Sequence, residues 1–198
     1  MYRWRKLSEQ DQAALLQWRQ GLKRPWHSPP HFVEGPAFFH LTAACYEHAP
    51  IIGSTNERLQ QFSTDLLATL EEAHCRVFAW CVLPNHYHLL LHVPDLREAT
   101  HTLGRLHGRT SHAWNGEDDQ RGRKVWSAPA DRAIRGDSHF WVTLNYIHHN
   151  PVKHGHVTRW QDWPWSSARD YLEAVGREEA ARMWMQYPVL DYGKGWDD

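Results

Sequence analysis

The stretch Cys75-Arg-Val-Phe-Ala-Trp-Cys-Val-Leu-Pro-Asn-His-Tyr-His-Leu-Leu-Leu-His-Val93 decides the fold. Cys75 to Leu83 reads as a buried strand and His86 to Val93 as another. Only Pro84-Asn85 separates them, so they form a hairpin. Side chains alternate along a strand, which sends His86 and His88 to one face and Tyr87, Leu89 and Leu91 to the other, into a layer of helices. Two imidazoles on one strand face can reach one metal ion. The same pair would also suit two half-buried histidines, each needing a polar partner.

Working outward, residues 55–73 carry Leu59, Phe62, Leu66, Leu70 and Ala73 at the helical period. Phe38 to Tyr46 reads as a strand before that helix. Residues 97–115 form a second helix, with Ala99, Leu103, Leu106, Ala113 and Trp114 on its apolar face. Asn115 to Asp119 reads as a loop, and Lys124 to Ile134 as a short strand with irregular flanks. A third helix, about 138–150, has Phe140, Leu144 and Ile147 as its core stripe, and Pro151 is expected to end it. Trp160-Gln-Asp-Trp-Pro-Trp165 and two short helical stretches follow. Residues 1–36 read as an arm, with a short helix at 8–20 capped by Ser8 and then four prolines that forbid regular structure. The expected organisation is an arm at 1–36, a catalytic domain at 37–160 and a tail at 161–198. Strands in a hairpin with interspersed helices give an α+β fold, helices packed on an antiparallel sheet.

Composition narrows the function classes. The chain has 198 residues, 41% hydrophobic and 23% charged, which describes a soluble globular protein of about one domain. No apolar run approaches the roughly 18 residues of a membrane helix, so no membrane partner is expected. The three scattered cysteines include no Cys-x-x-Cys, which argues for a reducing compartment, the cytoplasm. Net charge is -1, but it is unevenly spread: residues 97–160 carry +4 and residues 161–198 carry -4. The basic stretch would suit a polyanion. The 12 tryptophans offer flat surfaces on which bases could stack, though large aromatics also simply fill cores.

The second chemistry-bearing segment is Leu144-Asn-Tyr-Ile-His-His-Asn-Pro-Val152. Tyr146 and Asn150 are four residues apart, hence on one helical face. That face lies away from the Phe140/Leu144 stripe, so the core does not obviously recruit the tyrosine. Alone, the segment also fits a partly buried tyrosine with an asparagine cap. Joined to the hairpin it makes an open site of two imidazoles and one amide oxygen, with a phenol one turn away. A phenol can form a covalent phosphoester. Its ordinary pKa near 10 makes it weak at neutral pH, so it needs a polarised phosphate beside it.

Three segments carry a family resemblance: Ala79-Trp-Cys-Val-Leu-Pro-Asn-His-Tyr-His-Leu-Leu-Leu91, Tyr146-Ile-His-His-Asn-Pro-Val-Lys-His-Gly155 and Trp163-Pro-Trp-Ser-Ser-Ala-Arg-Asp-Tyr171. Over roughly residues 37–172 their order and spacing resemble the REP-associated tyrosine transposases, within the wider family of single-tyrosine HUH transposases and nucleases. The resemblance implies a ferredoxin-like sheet and cleavage of single-stranded DNA, leaving a 5′-phosphotyrosine and a free 3′-hydroxyl. It assigns His86 and His88 to a metal, Asn150 to the third ligand position (often Gln in relatives) and Tyr146 to the nucleophile. Mg or Mn is the implied ion, although imidazoles also suit Zn. A hairpin-forming repeat is the implied target, and the chain is expected as a monomer or homodimer.

Candidate DNA contacts are His101, Arg105, Arg109, His112, Arg123, Lys124, Arg132, Arg135 and Lys153 for phosphates, with Trp126 for stacking. The first four share one side of their helix at spacings of four, four and three. Two other functions compete with nicking and rejoining. One is a non-catalytic module that holds a DNA or RNA hairpin. The other is a metallohydrolase using His-x-His, against which the short length speaks, since such barrels run to about 250 residues.

Overall fold

The computed structural model describes residues 37–194, and the proposed arm with its helix at 8–20 lies outside them. The elements are β1 (Ala37–Ala44), α1 (Asn56–Glu72), β2 (Arg76–Val82), β3 (His86–Val93), α2 (Leu96–Glu117), β4 (Ala130–Ala133), α3 (Asp137–Lys153), α4 (Ala168–Val175) and α5 (Arg177–Gln186). The four strands form one sheet in the order β2-β3-β1-β4, with every pairing antiparallel. The first six elements therefore have ferredoxin-like order and pairing, as expected.

The hairpin pairs Cys81 with His88 and Val82 with Tyr87. Its turn is pinned from outside: Gly53 N donates to Pro84 O (2.9 Å) and Cys45 N to Asn85 O (2.7 Å). A Cβ at Gly53 would lie 2.6 Å from Pro84 Cα, so only glycine permits this approach.

The sheet has two different faces. Phe39, Leu41, Ala43, Tyr87, Leu89, Leu91 and Val93 form a core with Leu59, Phe62, Leu66 and Leu70 of α1 and Leu103, Leu106 and Trp114 of α2. Caps set both helix starts: Thr55 accepts from Arg58 N, and Asp95 from Arg97 N and Glu98 N. On the opposite face Ala79, Cys81, Leu83 and Leu90 pack against Leu144, Tyr146 and Ile147 of α3.

Several boundaries differ from the sequence reading. Asn115 to Glu117 continues α2 as helix instead of opening a loop. The strand expected over 124–134 is regular only at 130–133, with an isolated bridge from Trp126 to Cys45. Pro151 does not end α3, which runs two residues further, with His154 N bonding to Asn150 O at 3.1 Å. A proline inside a helix removes the bond to the carbonyl four residues back. Here burial of both Asn150 and Pro151 holds the turn together.

Residues 163–167 run along the open edge of β2. Val82 N donates to Trp165 O, Ser167 N to Trp80 O, and Trp163 Nε1 to Val82 O. An otherwise unpaired strand edge is thereby covered. No helix among the described residues is long and apolar enough to cross a membrane.

Candidate active site

The register of β1 against β3 sets Thr42 opposite His88 and His40 opposite Leu90. Paired residues share a face, so His40 and Thr42 join His86 and His88 under α3. His86 and His88 are 2% and 0% exposed. Each imidazole meets a polar group: His88 Nδ1 lies 3.1 Å from His40 Nε2 on β1, and His86 Nδ1 lies 2.7 Å from Oδ1 of the preceding residue, Asn85. The two rings sit edge to face with centroids 4.9 Å apart.

Helix α3 closes the site from above. Asn150, 0% exposed, aims Oδ1 at His86 Nε2 across 3.1 Å. One turn earlier, the Tyr146 ring stands 5.3 Å from the His88 ring and 5.9 Å from the His40 ring. The Lys153 ammonium lies 5.4 Å from the centre of the Tyr146 ring. His154, just past the helix, puts its ring 5.0 Å from that of His86.

Tyr146 is 1% exposed, contrary to the expectation that its face would lie outside the core. Its cover comes from residues far along the chain. Tyr192 packs edge-on at 5.5 Å, and Gly193, at φ 79°, rests directly on the phenol. A Cβ there would fall 2.6 Å from Tyr146 Cζ and 2.9 Å from its Oη. Tyr192 in turn hydrogen-bonds Thr143 Oγ1 (2.5 Å) and His139 Nε2 (3.1 Å). Burial raises the Tyr192 pKa, opposed by bonds from Thr143 and Arg132. Burial lowers that of His139, helped by the Arg132 and Arg135 cations.

Arg132 and Arg135 thus act electrostatically on His139, whose partner Tyr192 packs on Tyr146, and Lys153 lies at that same tyrosine. The other DNA-contact candidates are elsewhere. His101, Arg105, Arg109 and His112 are exposed on α2, in the layer on the other side of the sheet from Tyr146. Arg123 is committed to an ion pair with Asp118 (2.6 Å) and a bond to Asn115 Oδ1 (2.9 Å). Lys124 lies 4.2 Å over the Tyr46 ring. Trp126 is corrected outright. It is 8% exposed, stacked on His107 at 4.2 Å and bonded to Thr110 Oγ1, so it is a core residue with no face open to a base.

His40, Asn85 and the Tyr192–Gly193 segment were not singled out by sequence reasoning. His40 had a signal, a polar residue at strand period inside Phe38-Phe39-His40-Leu41-Thr42. The segment had none.

Two imidazoles and an amide oxygen are donors of the kind a divalent ion takes. Among the described residues no group of three His, Cys, Asp or Glu is arranged to hold a metal, so an ion here would take the Asn150 amide as its third donor. Asn150 Nδ2 has no hydrogen-bond partner among those residues, while its oxygen is turned to His86. His86 Nε2 and Asn150 Oδ1 are 3.1 Å apart, a hydrogen-bond separation that two adjacent ligands of one ion would also have.

A cavity of about 490 Å³ opens on the outer side of α3, lined by His148, Trp160, Tyr171 and Trp184 among others, and none of the site residues above lines it.

Comparison with known proteins bears on this geometry. The family model "Transposase IS200 like" matches residues 38–150. A Haemophilus influenzae protein provisionally named a REP-associated tyrosine transposase is 30% identical over 119 residues, which cover 55% of this chain and 68% of that protein. The REP-associated tyrosine transposase of Escherichia coli is 32% identical over 90 residues, 45% of this chain and 52% of its own length, so the match spans about half of that relative. A solved REP-associated tyrosine transposase bound to a REP hairpin superposes with a TM-score of 0.53 at 20% identity, covering 81% of this chain and 87% of that one. That last likeness establishes a shared fold.

Proposed function

Since the chain belongs to the IS200-like transposase family, we propose that it cuts and rejoins single-stranded DNA through Tyr146, on DNA presented beside a hairpin-forming repeat. The observation that carries this reading is the stacking of two helical positions over two strand positions. Tyr146 stands over His88 and Asn150 over His86, all four buried together.

The chemistry is an exchange of phosphoester bonds. The Tyr146 oxygen attacks phosphorus, a Tyr–O–P bond forms and the bond from phosphorus to the 3′-oxygen breaks. The DNA 5′-phosphate remains on the protein, and the departing strand leaves with a 3′-hydroxyl after taking up the proton that the phenol gives up. A later 3′-hydroxyl reverses the step and joins the strands. The phenol must carry negative charge to attack, and the Lys153 ammonium 5.4 Å from its ring centre stabilises that charge. Arg132 and Arg135 offer charge to the phosphates on either side. A divalent cation held by His86, His88 and Asn150 would draw electron density from the phosphate.

Only an unpaired strand can present a phosphodiester in line with a buried phenol, because a stacked duplex restricts that approach. Even a single strand reaches Tyr146 only after the Gly193 backbone lifts from it.

The test is incubation of hairpin-flanked single-stranded DNA with the protein and Mn²⁺ or Mg²⁺, followed by denaturing electrophoresis. A covalent protein–DNA band that disappears in Tyr146→Phe supports the reading. Tight binding with no band would instead make this a hairpin-holding module.

A further inference from the structure

We propose that the cavity on the outer side of α3 takes a single unpaired nucleobase together with its phosphate. The inference rests on the DNA-cutting reading above only for where such a base comes from; the chemistry of the cavity stands separately.

Packed interiors leave few voids larger than a water molecule. This cavity, about 490 Å³, has instead the size of a small-ligand pocket, about 300–1,000 Å³. Flat rings make up much of its wall. Trp160 lies parallel to His148 within 8°, with centroids 6.0 Å apart, and Tyr171 leans on the same imidazole at 5.1 Å. Trp184 faces His149 at 5.1 Å and 33°. Trp160, Tyr171, Trp184 and His149 are half-buried, so each keeps part of its surface uncovered. Aromatic faces of this kind hold a base by stacking.

An apolar anchor would need only those rings, but the cavity also holds polar groups. Asn145 and Gln161 line it with side-chain amides, which can both donate to and accept from a base edge. Asn145 Nδ2 is engaged by Met183 O and Tyr187 O, which leaves Oδ1 to accept. Tyr171 Oη is shut off from solvent and has no hydrogen-bond partner among the described residues, a rare state for a buried hydroxyl. Charge selects the same class of ligand. Residues 161–198 carry -4, yet no lining residue among those described is Asp or Glu, and Arg177 brings an exposed guanidinium. A guanidinium beside stacking rings suits the phosphate attached to a base. Asn145 and His148 also flank Tyr146 in sequence, so a base seated here bears on the helix that carries the phenol.

The test starts from the wild-type full chain. It is irradiated with the free photoreactive nucleotides 5-iodo-dUMP and 8-azido-dAMP, and separately with hairpin-flanked single-stranded DNA carrying the same bases at successive unpaired positions. Peptide mass spectrometry locates the crosslinks. Peptides containing Trp160, Tyr171 or Trp184 should be marked. Marking by the DNA makes the ligand a base of the bound strand, and marking by the free nucleotides alone makes it a free nucleotide. No marking of these peptides by either probe overturns the proposal. Calorimetry with the same nucleotides, against 2-deoxyribose 5-phosphate and indole, reads the chemistry. Trp160→Ala and Trp184→Ala should each weaken nucleotide binding about 5–150-fold, the loss of one base stack. Arg177→Gln should weaken nucleotide binding and leave nucleoside binding unchanged. Nucleotide binding that both folded tryptophan variants leave unchanged overturns the proposal, as does indole bound as tightly as any nucleotide. A covalent Tyr146 band from DNA that never marks these peptides would refute the cavity and keep the cutting reading; marked peptides without a band would uphold the cavity and refute the cutting.

Discussion

Acid should unfold this protein earlier than its carboxylates would, through two buried imidazoles. His107 is enclosed by Tyr87 and Trp126, with Nε2 3.0 Å from the Tyr87 hydroxyl, and burial pushes its pKa down to about 4. His148 lies on the outer side of α3, with Nε2 2.9 Å from Ser167 Oγ and its ring stacked toward Trp160, and burial pushes its pKa down to about 3. In the unfolded chain both return to about 6.5. A depressed imidazole pKa means that the unfolded state binds more protons below pH 6.5, so stability falls as pH falls. The loss begins near pH 6.5 and levels off only near each folded value. At pH 5 each group costs about 2 kcal/mol relative to pH 8, so the pair costs about 4 kcal/mol. Typical folding stabilities are about 5–15 kcal/mol.

Urea unfolding followed by circular dichroism at pH 8, 6 and 5 measures this. The strongly paired Asp118, held down to about 2 by Arg58 and Arg123, titrates only below the window and does not contribute. His139, His149 and His156 are lowered by burial too and add in the same direction. The single variants therefore isolate each contribution. His107→Gln and His148→Gln should each flatten the pH dependence between 6 and 5 by about 1 kcal/mol per pH unit, whatever they cost at pH 8. A slope unchanged in both variants would refute the reasoning. Because His148 sits between Tyr146 and Asn150 on α3, DNA cleavage should fail along the same acid limb.

Tyr146→Phe keeps the ring against Tyr192 and His88 while deleting the oxygen proposed to attack, so DNA binding should persist and the covalent band should vanish in the same gel. His86→Ala and His88→Ala should each abolish metal-dependent cleavage, with the double variant no worse, since members of one catalytic unit are not additive; multiplying losses would indicate separate roles. Gly193→Ala places a Cβ 2.6 Å from Tyr146 Cζ at φ 79°. With a left-handed penalty of about 1–2 kcal/mol, Tyr146 should become roughly 5–30-fold more reactive to iodination, and unchanged reactivity would show that the contact is not what shields it. Arg132→Ala and Lys153→Ala should each reduce the salt slope of single-strand binding by about 0.7; an equal reduction in Arg105→Ala would bring α2 onto the DNA surface as well.

What the sequence made legible follows physical range. The hairpin was readable because alternation along His86 to Val93 and a two-residue turn are local facts. The common side of Tyr146 and Asn150 was readable because four residues make about one helical turn. The shared face of His101, Arg105, Arg109 and His112 was readable for the same reason. The layer that face belongs to was not, because it depends on how α2 crosses the sheet. Trp126 misled because a tryptophan in a basic stretch looks the same whether it faces solvent or His107. The burial of Tyr146 was out of reach: its cover at Gly193 is 47 residues away and carries no periodic pattern. Pro151 gave the wrong helix end because propensity is a local rule, and packing around Asn150 overrode it.

The site owes its geometry to the fact that α3 is held on both sides. Its inner side presents Tyr146 and Asn150 to the sheet. On its outer side Asn145 Nδ2 donates to Met183 O (3.3 Å) and Tyr187 O (2.9 Å), while His148 engages Ser167. Ser167 is tied in turn to Trp80 on β2, accepting from Trp80 N at 2.9 Å. Rotation of α3 about its own axis would break these anchors as it moved the phenol off His88. Residues 163–187, which carry none of the reacting groups, thus act on the site through the helix they grip. Catalytic constellations depend on side chains held to within about 0.5 Å. In this chain the outer anchors supply that precision for the helix, and the bonds from Cys45 N to Asn85 O and Gly53 N to Pro84 O supply it for the strand.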